Sequence, residues 1–569
     1  MLGFSPRTAL PLALLVLIAS SQSPPAAEGY RAVEKHDMRI YEAVRPAVVG
    51  ITCRTSPTQG YFGTGVVVSA DGYILTSTTV VPRGAGNIKV FFSGELEKEA
   101  KISEIDEATE AALIKVDAAR LKFVPLADSA GARPGSLAFT FGNPFGTLSS
   151  DDKVSFSSGF ISGVYRLKDN GDFQSKYRDL VIETEAAVNP GSDGGPLVDG
   201  QGRLLGIISL GYSERRWLGV AIPTHIIAPR LKALKGITPP KKHLVPPEAV
   251  LRREAAWQKA VARLAPAVVQ VVIPRAEKAP QRPKGLTYAQ MRAEASRRYK
   301  IRPAGPVSGV IVSARGHVLT ARYHLTGKIH KDKIKVRLAD GREFPAKLLG
   351  YDANLDLAML KIEGQRLPHA ELNAAKAMEV GDSLAVIGRS EDLKTVTVNR
   401  GLVSARSRGY RGTIQTSAYV NYGNSGGAVV DVSGRLVGVT GRINPRSRWG
   451  QNSGIGFVTT AASIRGIFDD LAAGKTVEPP PRTFLGVGPG RDRPTILGAT
   501  VGRVLPGSAA AEARLKPGDI ITHLNGHPVE SWSGLVRNIV GRKPGETISL
   551  TVKRSGKRLE LKATLRTNR

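Results

Sequence analysis

The sequence contains a single cysteine, Cys53, among 569 residues. One thiol excludes an intramolecular disulfide and any cysteine-based metal site. Cys53 lies in the apolar segment AVVGITCRT, which is typical of a β-strand, so we expect a small buried side chain there. No other group of residues implies a metal or a cofactor, and we expect neither.

Long apolar runs are also scarce. The one run of note is TALPLALLVLIA (8–19), which follows Arg7 and precedes a segment rich in Ser and Ala. This order predicts a secretory signal peptide, to which we assign residues 1–27, and a periplasmic or extracellular location. An uncleaved anchor is the alternative, but the run is shorter than the roughly 20 residues that span a bilayer.

Acidic residues are outnumbered, with 49 Asp and Glu against 80 Lys and Arg, which gives a net charge of +31. Such an excess attracts anionic surfaces, and we leave open whether the protein binds to them. No nucleic-acid-binding motif accompanies the charge, so we expect a solvated basic surface and no specific nucleic-acid site.

The chain contains an internal duplication. Five blocks recur in the same order, which composition alone does not produce. The matched blocks are 45–52 with 265–272, 63–76 with 307–320, 88–117 with 334–363, 156–166 with 398–408, and 188–211 with 420–443.

Each copy consists of short β-branched runs separated by Gly, Asp-Gly or Ser-Gly, which predicts antiparallel strands in a sandwich or barrel. Each copy ends in a helix-like segment, 224–236 and 459–475, and Pro-rich spacers follow at 239–247 and 478–482. The basic insertion 275–302 occurs in the second copy alone, and we expect an exposed loop there.

The second copy carries residues suited to acyl transfer at a serine. That chemistry needs a base, a carboxylate that orients the base, and donors that face the developing oxyanion. The segment HVLTARYHLTG supplies His324 as the base, and GYDANLDLAMLK supplies Asp356 as the carboxylate that orients it. The segment NYGNSGG supplies Ser425 as the nucleophile. We expect the backbone N–H groups of Gly423 and Ser425 to form the oxyanion hole.

With these motifs the sequence resembles the HtrA/Deg (high-temperature-requirement) family, in which a trypsin-like protease domain precedes a PDZ domain. The family patterns are Leu-Thr-x-x-His-Val, Asp-Leu-Ala-hydrophobic-hydrophobic-Lys and Gly-Asn-Ser-Gly-Gly. The resemblance implies a mainly β fold with two tandem chymotrypsin/trypsin-like double β-barrel domains and a C-terminal PDZ domain.

The first copy departs from the family patterns at all three catalytic positions. Its equivalents are Thr79, Glu110 and Asp193, and its histidines, His36 and His225, lie near its two ends. Because it lacks both a base and a nucleophile, we interpret it as a degenerate pseudoprotease domain.

The second copy departs at the base. The family places His three residues after the Thr of Leu-Thr, but Thr320 is followed at that distance by Tyr323, with His324 one residue later. The segment from this Thr to IKV is two residues longer than in the first copy. Either the extra length brings His324 into place, or Tyr323 fills the base position. Tyr422 also replaces the proline that the family has before Gly-Asn-Ser.

The C-terminal region resembles a PDZ domain, from FLGV (484–487) to LKPGDIITHLNG (515–526) and beyond. In the family this first loop binds the terminal carboxylate of a peptide through backbone N–H groups. The resemblance therefore implies peptide binding at Phe484, Leu485, Gly486 and Val487.

These features predict six segments: a signal peptide at 1–27, the pseudoprotease domain at 33–236, a linker at 237–253, the protease domain at 254–475, a linker at 476–482 and the PDZ domain at 483–569. The leading hypothesis is an exported, ATP-independent serine endopeptidase that cuts unfolded or damaged proteins and captures apolar C-termini. The alternative is a pseudoprotease–PDZ adaptor or chaperone that binds polypeptides without cleaving them. The sequence leaves open whether the protein forms a homo-oligomer.

Overall fold

The computed structural model describes fourteen stretches of the chain: residues 25–93, 96–143, 154–167, 177–188, 191–209, 218–236, 244–275, 305–372, 377–406, 412–443, 455–478, 483–490, 497–540 and 542–567. The predicted signal peptide, up to residue 24, and most of the predicted loop 275–302 lie outside these residues. Within the described part of the chain, no helix is long and apolar enough to span a membrane.

Six α-helices are described, two of them long ones that each precede a protease-like copy. They are α1 (Pro25–Val44), α2 (Thr224–Ile227), α3 (Glu248–Leu264), α4 (Ala461–Ala472), α5 (Ala509–Glu512) and α6 (Trp532–Val540).

Strands dominate all three parts of the chain. The first copy has β1 (Val48–Ser56), β2 (Gln59–Val67), β3 (Tyr73–Ser77), β4 (Gly86–Phe92), β5 (Leu96–Asp106), β6 (Ala111–Val116), β7 (Leu137–Gly142), β8 (Ser155–Arg166), β9 (Leu180–Thr184), β10 (Pro196–Asp199), β11 (Leu204–Ser209) and β12 (Gly219–Pro223).

The second copy has β13 (Val268–Val272), β14 (Val307–Ile311), β15 (His317–Ala321), β16 (Lys335–Arg337), β17 (Glu343–Pro345), β18 (Lys347–Asp352), β19 (Leu357–Lys361), β20 (Ser383–Gly388), β21 (Thr397–Arg406), β22 (Thr413–Thr416), β23 (Ala428–Val430), β24 (Leu436–Ile443), β25 (Gly456–Thr460) and β26 (Thr476–Val477).

The C-terminal region has β27 (Thr483–Phe484), β28 (Val487–Pro489), β29 (Ala499–Val504), β30 (Ile520–Leu524), β31 (His527–Pro528), β32 (Thr547–Arg554), β33 (Lys557–Thr564) and β34 (Arg566–Thr567).

The first copy folds into two closed six-stranded barrels, with strand orders β1-β2-β3-β6-β5-β4 and β10-β11-β12-β9-β8-β7. Closure pairs every strand on both sides and removes exposed sheet edges. Val, Ile and Leu side chains fill both interiors, as expected for β-branched runs on a pleated surface. Cys53 is buried in the first barrel, where burial raises the pKa of its thiol to about 11.

The second copy repeats this architecture with one interruption. Its second barrel closes in the order β20-β21-β22-β25-β24-β23, while its first forms an eight-stranded sheet. The counterpart of the continuous strand β5 is divided into β17 and β18. The break falls at Ala346, directly after Pro345, which has no N–H to donate to a ladder. Together with the C-terminal sheet, these barrels confirm the predicted mainly β fold class.

The structure differs from the prediction at one linker boundary and in one helical segment. Helix α3 begins at Glu248, inside the predicted linker 237–253, directly after Pro247. The predicted helical segment 224–236 is only helical in short pieces, because Pro229 ends α2 and the chain continues in 3₁₀ turns. The helix expected at 459–475 is confirmed as α4.

The C-terminal unit, from Val477 onward, folds around its own core. Its main sheet has the order β28-β29-β30-β32-β33, with β31 beside β30, and β28 lies at one edge. Helix α6 packs against this unit through the buried side chains of Leu535 and Ile539.

A buried arginine connects the eight-stranded sheet and the closed barrel of the second copy. Arg389, at the end of β20, donates from its guanidinium to Val268 O and Ala265 O at 2.7 Å each and to Leu393 O at 2.5 Å. Burial lowers its pKa to about 10, so it stays charged at neutral pH. These bonds join β20 to the turn that precedes β13.

We expect Arg389→Met to lower the stability of the second copy by about 2–4 kcal/mol, since it leaves buried carbonyls without their charged donor. Thermal unfolding followed by near-UV circular dichroism measures this. Arg435→Met is the matched control, because Arg435 forms a half-exposed ion pair with Asp431 and should cost at most about 1 kcal/mol. Equal shifts for the two variants would contradict the role of Arg389.

Candidate active site

The nucleophile loop of the second copy has the backbone shape that its glycines predict. Gly426 has a φ of +83°, and a Cβ there would overlap Ser308 O and Thr320 Oγ1. Ser425 precedes it and is fully buried. Its Oγ donates to Gly441 O at 2.7 Å. The hydroxyl proton is therefore directed to a backbone carbonyl of β24.

Asp356 lies in the turn between β18 and β19 with a φ of +52°. Its backbone carbonyl accepts from Arg322 N at 2.9 Å, and its Oδ1 accepts from Tyr323 N at 2.9 Å. Both bonds hold the backbone of the 3₁₀ turn Arg322–Leu325, which carries the candidate base. Asp356 thus determines the register of that turn.

The first copy has the same backbone bond. Glu110, with a φ of +50°, accepts from Thr78 N at 2.8 Å. The next residue, Thr79, directs its Oγ1 to Asp193 Oδ2. Asp193 occupies the nucleophile position. The residue that faces this position is therefore the one that follows the residue whose N–H bonds to the backbone carbonyl of Glu110.

In the second copy that residue is Tyr323. Its ring packs against Tyr422, with ring centroids 6.1 Å apart and hydroxyl oxygens 3.4 Å apart. In the sequence these are two separate departures from the family patterns, but in the structure the two tyrosines are in contact. Tyr323 stands where the family has a histidine, and Tyr422 stands where it has a proline. The two rings pack together beside the nucleophile loop.

His324 follows one residue later and is buried, with its ring edge-on to that of Tyr323 at 5.7 Å between centroids. Its backbone carbonyl accepts from Arg275 Nη2 at 3.4 Å. By the equivalence with Thr79, we expect Tyr323 rather than His324 opposite Ser425. The role of His324 as general base stays a prediction, and this register does not support it.

The two N–H groups that we expect to bind the oxyanion donate to a residue of the same loop. Gly423 N donates to Asn421 Oδ1 at 3.1 Å, and Ser425 N donates to Asn421 O at 2.9 Å. The equivalent glycine of the first copy, Gly191, has a φ of +96°, whereas Gly423 does not adopt a positive φ. In this conformation both predicted donors bond to Asn421, and their role in an oxyanion hole stays a prediction. Asn421 is the residue that sequence analysis missed.

In the first copy the nucleophile position is a carboxylate held by hydroxyls. Ser77 Oγ donates to Asp193 Oδ2 at 2.9 Å, beside the bond from Thr79. His225 is bonded to Ser129 Oγ through Nδ1 at 2.8 Å, and His36 lies on α1. Neither histidine contacts Asp193, so the arrangement contains an acceptor where a nucleophile is needed.

The candidate peptide-binding loop lies between β27 and β28. Gly486 has a φ of +91°, and a Cβ there would overlap Ser508. Gly486 O accepts from Leu505 N at 2.8 Å, and Leu485 is buried in the core of the unit. The loop is therefore held rigidly next to the edge strand β28. Binding by Phe484, Leu485, Gly486 and Val487 stays a prediction.

Comparison with known proteins matches each part of this architecture. The model described as "Trypsin-like peptidase domain" matches residues 63–207 and 307–439, and the model described as "PDZ domain" matches residues 475–565. The chain belongs to the HtrA/Deg family. The two trypsin-like matches fall on the two double-barrel copies.

Two curated HtrA relatives illustrate the similarity. The periplasmic pH-dependent serine endoprotease DegQ of Escherichia coli K12 is 36% identical over 278 residues, 46% of this chain and 59% of the relative. The probable periplasmic serine protease do/HhoA-like of Haemophilus influenzae is 37% identical over 293 residues, 48% of this chain and 60% of the relative. The chain thus spans about three fifths of the length of these relatives.

A solved serine endoprotease from Yersinia pestis is 28% identical, covers 55% of this chain and 98% of its own, and superposes with a TM-score of 0.35. At that score the superposition carries no argument about the site. The family match confirms the predicted trypsin-like peptidase domains, and the relatives are named serine proteases or endoproteases.

The missing base of the first HtrA copy gives a direct test. We expect no peptidase turnover from the double variant Ser425→Ala, Asp193→Ser, because a serine at 193 still faces Thr79 and has no base. Hydrolysis of a fluorogenic casein substrate measures this, with the single variant Ser425→Ala as the matched control. Turnover in the double variant above that of the control would contradict the pseudoprotease interpretation.

Proposed function

We propose that this HtrA-family protein acts outside the cytoplasm as a polypeptide-binding protein that does not cleave what it binds. The single observation that supports this proposal is the register of the turn after β15, in which Tyr323 takes the position of the base. The PDZ domain captures polypeptide C-termini, and the double-barrel copies provide further binding surface.

The chemistry of the site supports a binding role. A phenol keeps its proton at neutral pH and cannot accept one from a serine hydroxyl. Ser425 Oγ donates to Gly441 O, and the two N–H groups expected to bind an oxyanion bond to Asn421. Loss of the base alone typically reduces turnover about a million-fold.

A second candidate function is ATP-independent serine endopeptidase activity on unfolded or damaged proteins, located in the second copy. The retained Asp356 and Ser425, the glycine turn at Gly426 and the names of the relatives favour it. This function requires a turn in which His324, instead of Tyr323, reaches Ser425.

The variant Tyr323→His separates the two candidates. If Tyr323 occupies the base position, the new imidazole faces Ser425 and should raise labelling by a fluorophosphonate probe by about 10²-fold or more, the usual contribution of a general base. Labelling followed by in-gel fluorescence measures the rate. The combined variant Tyr323→His, Ser425→Ala is the control and should not be labelled.

The same experiment on the unmodified protein decides between the functions. Rapid labelling that disappears in Ser425→Ala and falls in His324→Ala supports the endopeptidase. Absence of labelling in folded protein, together with a gain in Tyr323→His, supports the binding protein.

Peptide capture by the PDZ domain follows the family pattern. Strand β28 lies at a sheet edge, where an extended peptide can pair its backbone, and the loop before it offers backbone N–H groups to a terminal carboxylate. We expect a peptide with an apolar C-terminus to bind, and its C-terminally amidated form to bind at least about tenfold more weakly. Fluorescence anisotropy measures both affinities. Equal affinities would contradict recognition of the carboxylate.

An exported location agrees with the relatives, which are named periplasmic. The signal peptide assigned to residues 1–27 is part of this proposal. The net charge of +31 leaves contacts with anionic surfaces of the envelope as a further expectation.

A further inference from the structure

The two double-barrel copies meet along one strand of each. Strand β8 of the first copy and strand β21 of the second pass each other in opposite directions. Asn399 Nδ2 donates to Ser162 Oγ at 3.0 Å, and Thr395 Oγ1, just before β21, donates to Val164 O at 3.3 Å. Helix α1 packs on helix α3 beside them. Because β8 and β21 are counterparts in the duplication, as are α1 and α3, the contact has approximate twofold symmetry.

The two strands approach each other closely. A Cβ on Gly163 would lie 3.0 Å from Thr397 Cγ2, so the absence of a side chain at Gly163 permits this approach. Ser162 and Asn399 are both fully buried in the contact. A hydrogen bond in such surroundings is not readily replaced by one to water, so its loss affects the groups that it joins.

The side chain of Asn399 also reaches into the second copy. Its Oδ1 accepts from Asn424 Nδ2 at 3.0 Å, and the same Nδ2 donates to Tyr419 O at 2.9 Å. Asn424 is fully buried and directly precedes Ser425. One amide group therefore joins the first copy to the nucleophile loop of the second.

Inside the loop, Asn424 and Asn421 hold each other. Asn421 N donates to Asn424 Oδ1 at 2.8 Å, while Asn424 N and Gly423 N each donate to Asn421 Oδ1 at 3.1 Å. The bonds thus follow one another from Ser162 through Asn399, Asn424 and Asn421 to Gly423 N–H, and we call this series the amide chain. It begins in the first copy and ends on an N–H group expected to bind an oxyanion.

The twofold-related positions use their hydroxyl groups differently. The duplication pairs Asn399 with Ser157 and Ser162 with Ser404. Ser157 Oγ accepts from Ala187 N at 2.8 Å, within the first copy, and Ser404 is exposed. The amide chain therefore has a direction, from the first copy to the second, although the contact between the copies is nearly symmetric.

The two nucleophile loops differ in the same sense. The first copy has Ser192 at the position of Asn424. Its Gly191 has a φ of +96°, whereas Gly423 does not adopt a positive φ. The amide chain thus accompanies the loop conformation in which Gly423 N–H is turned to Asn421.

We propose that the first copy sets the conformation of the nucleophile loop in the second copy, with Ser162 as a positioning residue. The amide group of Asn399 is planar, so its donor and its acceptor move together. Without Ser162 Oγ, the buried Nδ2 of Asn399 loses that acceptor, and rotation toward another withdraws Oδ1 from Asn424. The change then reaches Gly423 N–H. This inference does not depend on whether Ser425 is catalytic.

A single nuclear magnetic resonance signal reports on the end of the amide chain. The dipeptide Tyr-Gly occurs once in the sequence, at 422–423. Deuterated full chain with ¹³C at the tyrosine carbonyl and ¹⁵N in glycine therefore gives one carbonyl-filtered signal, that of Gly423 N–H. We expect Ser162→Ala to move this signal by more than its linewidth and to speed its exchange with solvent by about tenfold or more.

The matched control is Ser404→Ala, the same substitution at the twofold-related, exposed position of β21. It should leave both the position and the exchange rate of the Gly423 signal unchanged. Asn399→Ala should also move the signal, and adding Ser162→Ala to it should have no further effect, because the amide chain is already interrupted. Far-UV circular dichroism checks folding, and Asn399→Ser replaces Asn399→Ala if that variant does not fold.

Two outcomes would overturn the proposal. In one, Ser162→Ala lowers the midpoint of thermal unfolding but leaves the Gly423 signal in place, so the hydroxyl only stabilises the contact. In the other, the effects of Ser162→Ala and the Asn399 variant on the signal add, which shows that they act on the loop independently.

Discussion

The carboxylate of Asp356 determines what the second copy can do. Its Oδ1 accepts from Tyr323 N, while the backbone carbonyl of Asp356 accepts from Arg322 N. Together these bonds hold the turn Arg322–Leu325, which carries Tyr323 and His324. Because His324 follows Tyr323 by one residue, a shift of one residue in this turn exchanges the imidazole of His324 for the phenol of Tyr323 at the position of the base. The fold, the nucleophile loop and the acidic residue are all retained, yet the chemistry depends on this turn because proton removal needs a base within hydrogen-bonding distance.

The two copies show how one scaffold holds different polar groups at the same place. In the first, Thr64 Oγ1 donates to Gly191 O, and in the second, Ser308 Oγ donates to Gly423 O. The loop is thus anchored to the first barrel in both copies, whatever residue occupies the nucleophile position. The two copies share this structural hydroxyl but differ at the predicted catalytic positions.

Much of the fold could be predicted because its signals are local. β-branched runs and glycine turns gave the strands, and the repeat gave two copies. Ser425 and Asp356 were predicted from their motifs, and their catalytic roles stay predictions. The position of His324 could not be predicted, because it depends on backbone bonds to Asp356. The contact between Tyr323 and Tyr422 was missed for a similar reason: the two residues lie 99 positions apart. The start of α3 was missed because Pro247 reads as part of a linker.

A crystal structure that resolves the side chains around Ser425 tests the central claim most directly. The account predicts Ser425 Oγ within hydrogen-bonding distance of Gly441 O, with the ring of Tyr323 opposite it. A ring nitrogen of His324 within about 3 Å of Ser425 Oγ would contradict the account and restore the base of an endopeptidase.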